Sequence, residues 1–187
     1  MSNEKTRVVT PVGRIAFTKN LFKKNDKGRY TCALIIDKDK DISKLRALVK
    51  EAMDAQWPGK KPGGLKTPIK EETREDMLEN YPYMADAYTL NASTGFEVPV
   101  IDLNNEEMFE GDIKAGDQVR ISVSAYVYDN QTKGVGLNIN AVQFIREDEA
   151  FSARASAKDM FSGSDVEKFE AEVSGTDSDD DLDNMGF

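Results

Sequence analysis

Apolar and polar positions alternate most regularly between Asp117 and Arg146. Val119, Ile121, Val123, Ala125 and Val127 interleave with Arg120, Ser122, Ser124, Tyr126 and Tyr128. Period-two alternation over ten residues predicts a β-strand with one apolar and one polar face. Asp129 to Gly134 has the Asn, Asp and Gly content of a hairpin loop. Val135, Leu137 and Ile139 then resume the apolar face on a return strand, opposite Gly136, Asn138 and Asn140. The outward face of this hairpin carries Arg120, two serines, Tyr126 and Tyr128, with Lys133 at the tip. Two tyrosines two residues apart on one face of a strand sit about 7 Å from each other, close to the spacing of unstacked nucleotides. Tyrosine is also a good strand former, and half-exposed pairs are common on sheets with no ligand.

The rest of the pattern supplies partners for the hairpin. Val8 to Phe17 reads as a first strand, with Pro11 and Gly13 marking an edge or a bend. Arg29 to Asp37 is apolar on both faces, which places it centrally in a sheet. Ile42, Leu45, Val49, Ala52 and Met53 recur at helical spacing, so a helix is expected over Ile42–Trp57, capped by Asp41 and stopped by Pro58. Its stripe is ordinary packing against the sheet and carries no chemistry. Residues 58–70 form a basic loop punctuated by Gly and Pro. Tyr88–Ala92 and Glu97–Leu103 read as two further short strands. Five or six short strands with one helix suit a small barrel, mainly β, which removes exposed edges.

Composition narrows the function classes. The chain has 187 residues, no histidine and one cysteine. Lack of histidine removes the commonest general base and every Ser-His or Cys-His arrangement, and the single Cys32 excludes an internal disulfide. No apolar run approaches the ~20 residues that cross a bilayer, and the first residues lack the apolar core of a signal peptide. These features favour a reducing cytoplasm and no membrane partner. Asp37, Asp39 and Asp41 imitate the start of a calcium loop, but Ile42 stands where glycine is needed and Leu48 where glutamate is needed. Residues 59–64 are not followed by the Gly-Lys-Ser/Thr of a P-loop. No cofactor, metal or catalytic residue is expected.

Charge is unevenly distributed. The formal net charge is −9. Residues 1–70 hold seventeen basic and seven acidic residues, whereas residues 147–187 hold three and thirteen. A basic front and an acidic end suggest a surface for a polyanion and a separate acidic arm.

Basic and aromatic residues interleave in three sets. The first comprises Arg14, Phe17, Lys19, Phe22, Lys23, Lys24, Lys27, Arg29 and Tyr30. The second comprises Lys60, Lys61, Lys66 and Lys70, with Tyr81 and Tyr83 nearby. The third is Arg120, Tyr126, Tyr128 and Lys133. Single-stranded nucleic acid is held in this way, by cations along the phosphates and rings under the bases. Duplex readout would call for a basic recognition helix, which is lacking.

Taken in order, these landmarks resemble the single-stranded DNA-binding proteins of bacteriophages. They are Gly13-Arg14, Asn20-Leu21-Phe22, Gly28-Arg29-Tyr30 and the helix ending at Trp57. Gly116 to Val123, Tyr126-Val-Tyr128, Lys133-Gly134-Val135 and an Asp-rich end with Phe187 complete the series. The resemblance implies an OB-fold barrel, base stacking by Tyr126 and partner docking by Phe187. It also implies a place in phage DNA replication and recombination, in the cytoplasm of the infected bacterial host. Where family members often carry Arg-Pro after the central strand, this chain has Gly95-Phe96.

The reading is a non-enzymatic OB-fold domain over residues 1–146 that coats single-stranded DNA with little sequence preference. Residues 147–187 form an acidic, mostly disordered tail. In the tail, Asp179, Asp180, Asp181, Leu182, Asp183, Met185 and Phe187 would contact replication proteins such as a DNA polymerase or helicase. The acidic arm can also occupy the basic groove when DNA is absent. A homodimer is compatible with this reading. The rival readings are an acidic-tailed interaction adaptor or chaperone that binds no DNA, and a metal-dependent nuclease. The dispersed Asp86, Asp102 and Asp112 give the nuclease no cluster.

Overall fold

A computed structural model describes residues 6–151. The expected tail and its docking residues lie outside the described residues. Within them the chain forms eight strands and two α-helices: β1 (Arg7–Val9), β2 (Gly13–Ala16), β3 (Tyr30–Asp37), α1 (Ser43–Gln56), β4 (Ile69–Glu71), α2 (Glu75–Asn80), β5 (Ala87–Thr94), β6 (Val100–Ile101), β7 (Gln118–Asp129) and β8 (Lys133–Arg146). Hydrogen bonding runs β7-β2-β3-β5-β8, and β8 pairs again with β7, closing a five-stranded OB-type barrel. β1 and β2 are two halves of one strand along β7, broken around Pro11. The barrel abolishes the edges that so few strands would otherwise expose.

The interior is built from the alternation read in the hairpin. Val119, Ile121 and Val123 are fully buried on β7, and Val135, Leu137, Ile139 and Val142 face them from β8. Between Ile139 and Val142 the phase shifts by one residue. Ser122 pairs with Ala141 and Val123 with Ile139, leaving Asn140 as a bulge that sharpens the local twist. Ser124, expected on the outer face, is buried and donates to Asn140 Oδ1.

β3 is covered on both sides, as its composition requires. Leu34 and Ile36 enter the main core, whereas Ala33 and Ile35 lie under a second cluster that includes Met84, Leu78 and Tyr83. That cover is α2 with the 3-10 turn Pro82–Met84; the sequence gives no sign of it, because the segment is short and largely acidic or polar. α1 buries Leu45, Leu48 and Val49. The cap position is taken by Ile42, which has no side-chain cap, and not by Asp41 as expected; Asp41, one residue earlier, accepts the Ser43 N–H on Oδ1 at 2.9 Å as a local turn bond. The expected strand Glu97–Leu103 shortens to the two residues of β6, beside β8.

The basic loop 58–70 ends by closing the barrel. Lys66 N–H donates to Lys133 O, and Val135 N–H donates to Lys66 O, both at 3.0 Å. Asn91 N–H donates to Pro68 O, and β4 then pairs with β5. Residues 66–71 thus fill the gap between β5 and the start of β8. No helix among the described residues is long and apolar enough to cross a membrane.

Candidate nucleic-acid interface

Tyr126 and Tyr128 stand opposite Gly136 and Gly134 across the β7–β8 ladder. A Cβ on Gly136 would overlap the Tyr126 ring, and one on Gly134 would lie 2.6 Å from Tyr128 Oη. Each ring therefore lies down over a glycine instead of standing off the sheet. The ring centroids are 6.2 Å apart with a 47° tilt, close to the spacing the strand geometry predicts. The sequence signal for this seat is the matching Gly134-Val-Gly136, which repeats the two-residue period on the return strand. Burial, with Tyr126 beside it, raises the Tyr128 phenol above the ordinary range.

The two rings line an open groove of about 460 Å³. Phe17, Lys66, Lys70, Thr31, Asn91 and Ser93 also line it. Phe17 is half exposed and has a left-handed backbone, φ 56°, a region that bulky residues rarely adopt. This turn carries its ring to the groove, where it also meets Tyr81 edge-on with centroids 6.2 Å apart. Arg29 donates to Ser93 Oγ at 3.2 and 3.0 Å, and its guanidinium carbon lies 6.0 Å from the Tyr126 ring centroid.

Thus Phe17, Lys66, Tyr126 and Tyr128 are brought together, with Arg29 beside them. Lys133 sits at the hairpin end, paired with Asp129 at 3.3 Å. The other expected residues are placed differently. Phe22 and Tyr30 pack against the core, with Lys24 Nζ 5.9 Å from the Tyr30 ring centroid. Lys23 pairs with Glu110 at 2.9 Å and Lys61 with Asp54 at 2.7 Å. Lys19, in the 3-10 turn Thr18–Asn20, and Lys60, in the loop after α1, are exposed outside the groove lining. Arg120, near the start of β7 and away from the tyrosines, donates to Gln143 of β8.

Arg14 belongs to another arrangement altogether. Its Nε donates to Gly116 O at 2.9 Å, its Nη2 donates to Glu149 O, and its guanidinium lies 4.1 Å from the Phe151 ring centroid. Phe151 in turn stacks on Tyr83 at 3.9 Å. Asp117, buried beside this cluster, accepts from Lys114 N, Lys114 Nζ and Asp148 N. A bond from the Gln118 amide, with Arg14 and Arg146 nearby, holds the Asp148 carboxyl below its usual range. The arginine therefore anchors residues 147–151 to the barrel.

The model of a family described as Enterobacter phage Enc34, ssDNA-binding protein, matches residues 6–173. This chain belongs to that family. Among its relatives, protein p50 of Acyrthosiphon pisum secondary endosymbiont phage 1 is 27% identical over 133 residues, covering 66% of this chain and 72% of p50. The single-stranded DNA-binding protein from bacteriophage Enc34 in complex with ssDNA superposes with a TM-score of 0.65 at 17% identity, covering 78% of this chain and 89% of that one. The single-stranded DNA-binding protein gp2.5 of bacteriophage T7 gives 0.60 at 13% identity, over 83% and 92% of the two chains. At these identities the two solved structures establish a shared fold.

Proposed function

We propose that this protein is a non-enzymatic binder of single-stranded DNA with little sequence preference. The observation that carries the reading is the pair of tyrosine rings laid over Gly134 and Gly136 in a groove edged by Lys66, Lys70 and Arg29. Each ring offers a base a π-face, and such contacts tolerate any base. The cations follow the phosphates and release counterions. Family membership supports the same reading, as does the solved relative that holds ssDNA.

Fluorescence titration with labelled oligo-dT at several salt concentrations tests it. Binding should weaken steeply as salt rises, with a slope set by the number of phosphates neutralised. Absence of binding at low salt would favour the adaptor reading, and metal-dependent cutting of the probe would favour the nuclease.

The wider role is proposed on the same basis: coating single strands during phage replication and recombination, in the cytoplasm of the infected bacterium. The Asp-rich run from Asp177 to Asp183 and the apolar residues Leu182, Met185 and Phe187 suit recruitment of a polymerase or helicase. As a polyanion, the same arm competes with DNA for cations. Removing residues 174–187 is expected to tighten oligo-dT binding at low salt, an effect that fades as salt screens it. Deleting Phe187 alone should leave DNA affinity in place and reduce capture of the polymerase or helicase. Unchanged low-salt affinity without the arm would dismiss the competition.

A further inference from the structure

The groove under Tyr126 does not end the surface. On the far side of Arg29 lies a second depression of about 590 Å³, lined in part by Arg7, Phe96, Glu97, Ser124, Asn138 and Asn140. We infer that this depression is a second nucleotide subsite, in which Phe96 stacks a base, Arg7 meets a phosphate and the amides of Asn138 and Asn140 face the base edge. The inference rests on the single-strand-binding reading and adds to it a subsite that the basic-aromatic pattern missed.

Phe96 is 83% exposed, more than any other large apolar side chain among the described residues. A lone exposed apolar residue is ordinary; its surroundings are what distinguish this one. The backbone under the ring is tied down, since Phe96 N–H donates to Oγ1 of the buried Thr94 at 3.2 Å. The ring is thus presented on an anchored turn. The two depressions meet at Arg29, which holds Ser93 Oγ in the first and lines the second. Ser93 is also the residue of β5 that bridges to Asn138 of β8. A strand leaving Tyr126 past Arg29 enters the second depression directly.

The floor beneath Phe96 is polar and incompletely bonded. Asn140 is the bulged residue that falls out of the β7–β8 ladder. Its Oδ1 accepts from Ser124 Oγ at 3.4 Å, while its buried Nδ2 has no hydrogen-bond partner. A buried amide donor without a partner is costly, and a turn of the Asn140 side chain, held by the long bond from Ser124, would bring that donor to a base edge carrying a carbonyl oxygen or ring nitrogen. Arg7 and Glu97 set opposite charges at the rim, so the phosphates run on the Arg7 side.

Short dT oligomers that fill only the Tyr126 groove provide the test. They are lengthened at either end with thymidines or with abasic nucleotides, which keep the phosphates and lack the base. The full chain should gain more affinity from thymidine extension than from abasic extension, by about fivefold or more for a stacked base. Phe96→Ala should erase that difference, with its penalty growing with length. Phe96→Trp should keep it and show fluorescence quenched by long oligomers beyond the quenching of a chain carrying only Trp57. Equal gains from thymidine and abasic extension would overturn the subsite. So would a Phe96→Ala chain matching wild type at every length while Tyr126→Ala weakens binding, and in that case the groove reading survives. A wild-type chain that binds no oligo-dT would remove both.

Discussion

Tyr126→Ala is expected to weaken oligo-dT binding by the loss of one stacked base, about 1–3 kcal/mol, or roughly fivefold to a hundredfold. The ring lies over Gly136 and beside Arg29 in the groove wall, so truncation removes the π-face and uncovers a glycine. The fold should tolerate the change, because the ring packs on the outer wall, away from the buried side of β7 formed by Val119, Ile121 and Val123. Tyr126→Phe should bind nearly as wild type. Gly136→Val, which forces the ring off its seat, should track the alanine variant. Titration of the three chains in one buffer decides it. Wild-type affinity in Tyr126→Ala would remove this tyrosine from the interface.

Gly116→Ala is expected to cost about 2–4 kcal/mol of stability, from a strained backbone together with overpacking. Gly116 has φ +109°, and a Cβ there would overlap Glu149 O and lie 3.0 Å from Ala150 Cα. Both obstacles are backbone, so no side-chain rotation relieves them. The least costly escape is release of residues 147–151. That would forfeit the Arg14 bond to Glu149 and the stack of Phe151 on Tyr83. Urea unfolding should show a lower midpoint, while oligo-dT affinity at low temperature stays close to wild type, since no residue of this cluster lines the tyrosine groove. An unshifted midpoint would mean that the 147–151 segment contributes nothing to holding the barrel.

The parts of this fold legible in the sequence are those whose burial repeats. The β7–β8 hairpin announces itself through two-residue alternation, β3 through its double-sided apolar run and α1 through its stripe. Elements with no period stayed hidden. α2 covers Ala33 and Ile35 with a few side chains from a six-residue helix and a turn, and β4 is three residues at the end of what reads as a loop. Within the site, the rings were legible because a strand fixes which way they face. The cations were less so, because loop residues carry no such rule. Arg14 and Phe17 are near neighbours in sequence, yet the left-handed turn at Phe17 sends the ring to the groove while Arg14 remains with Gly116 and Glu149. Lys23 and Lys61 are occupied by Glu110 and Asp54, pairings that only the folded chain creates.

The residues from Lys66 to Glu71 are shared property: they zip β5 to β8, and two of their lysines, Lys66 and Lys70, edge the groove. Length cannot be added there without unbuttoning the cylinder. Evolution can enlarge this part of the protein only upstream, among the prolines and glycines of residues 58–65, none of which lines the groove, so extra chain there leaves its width alone.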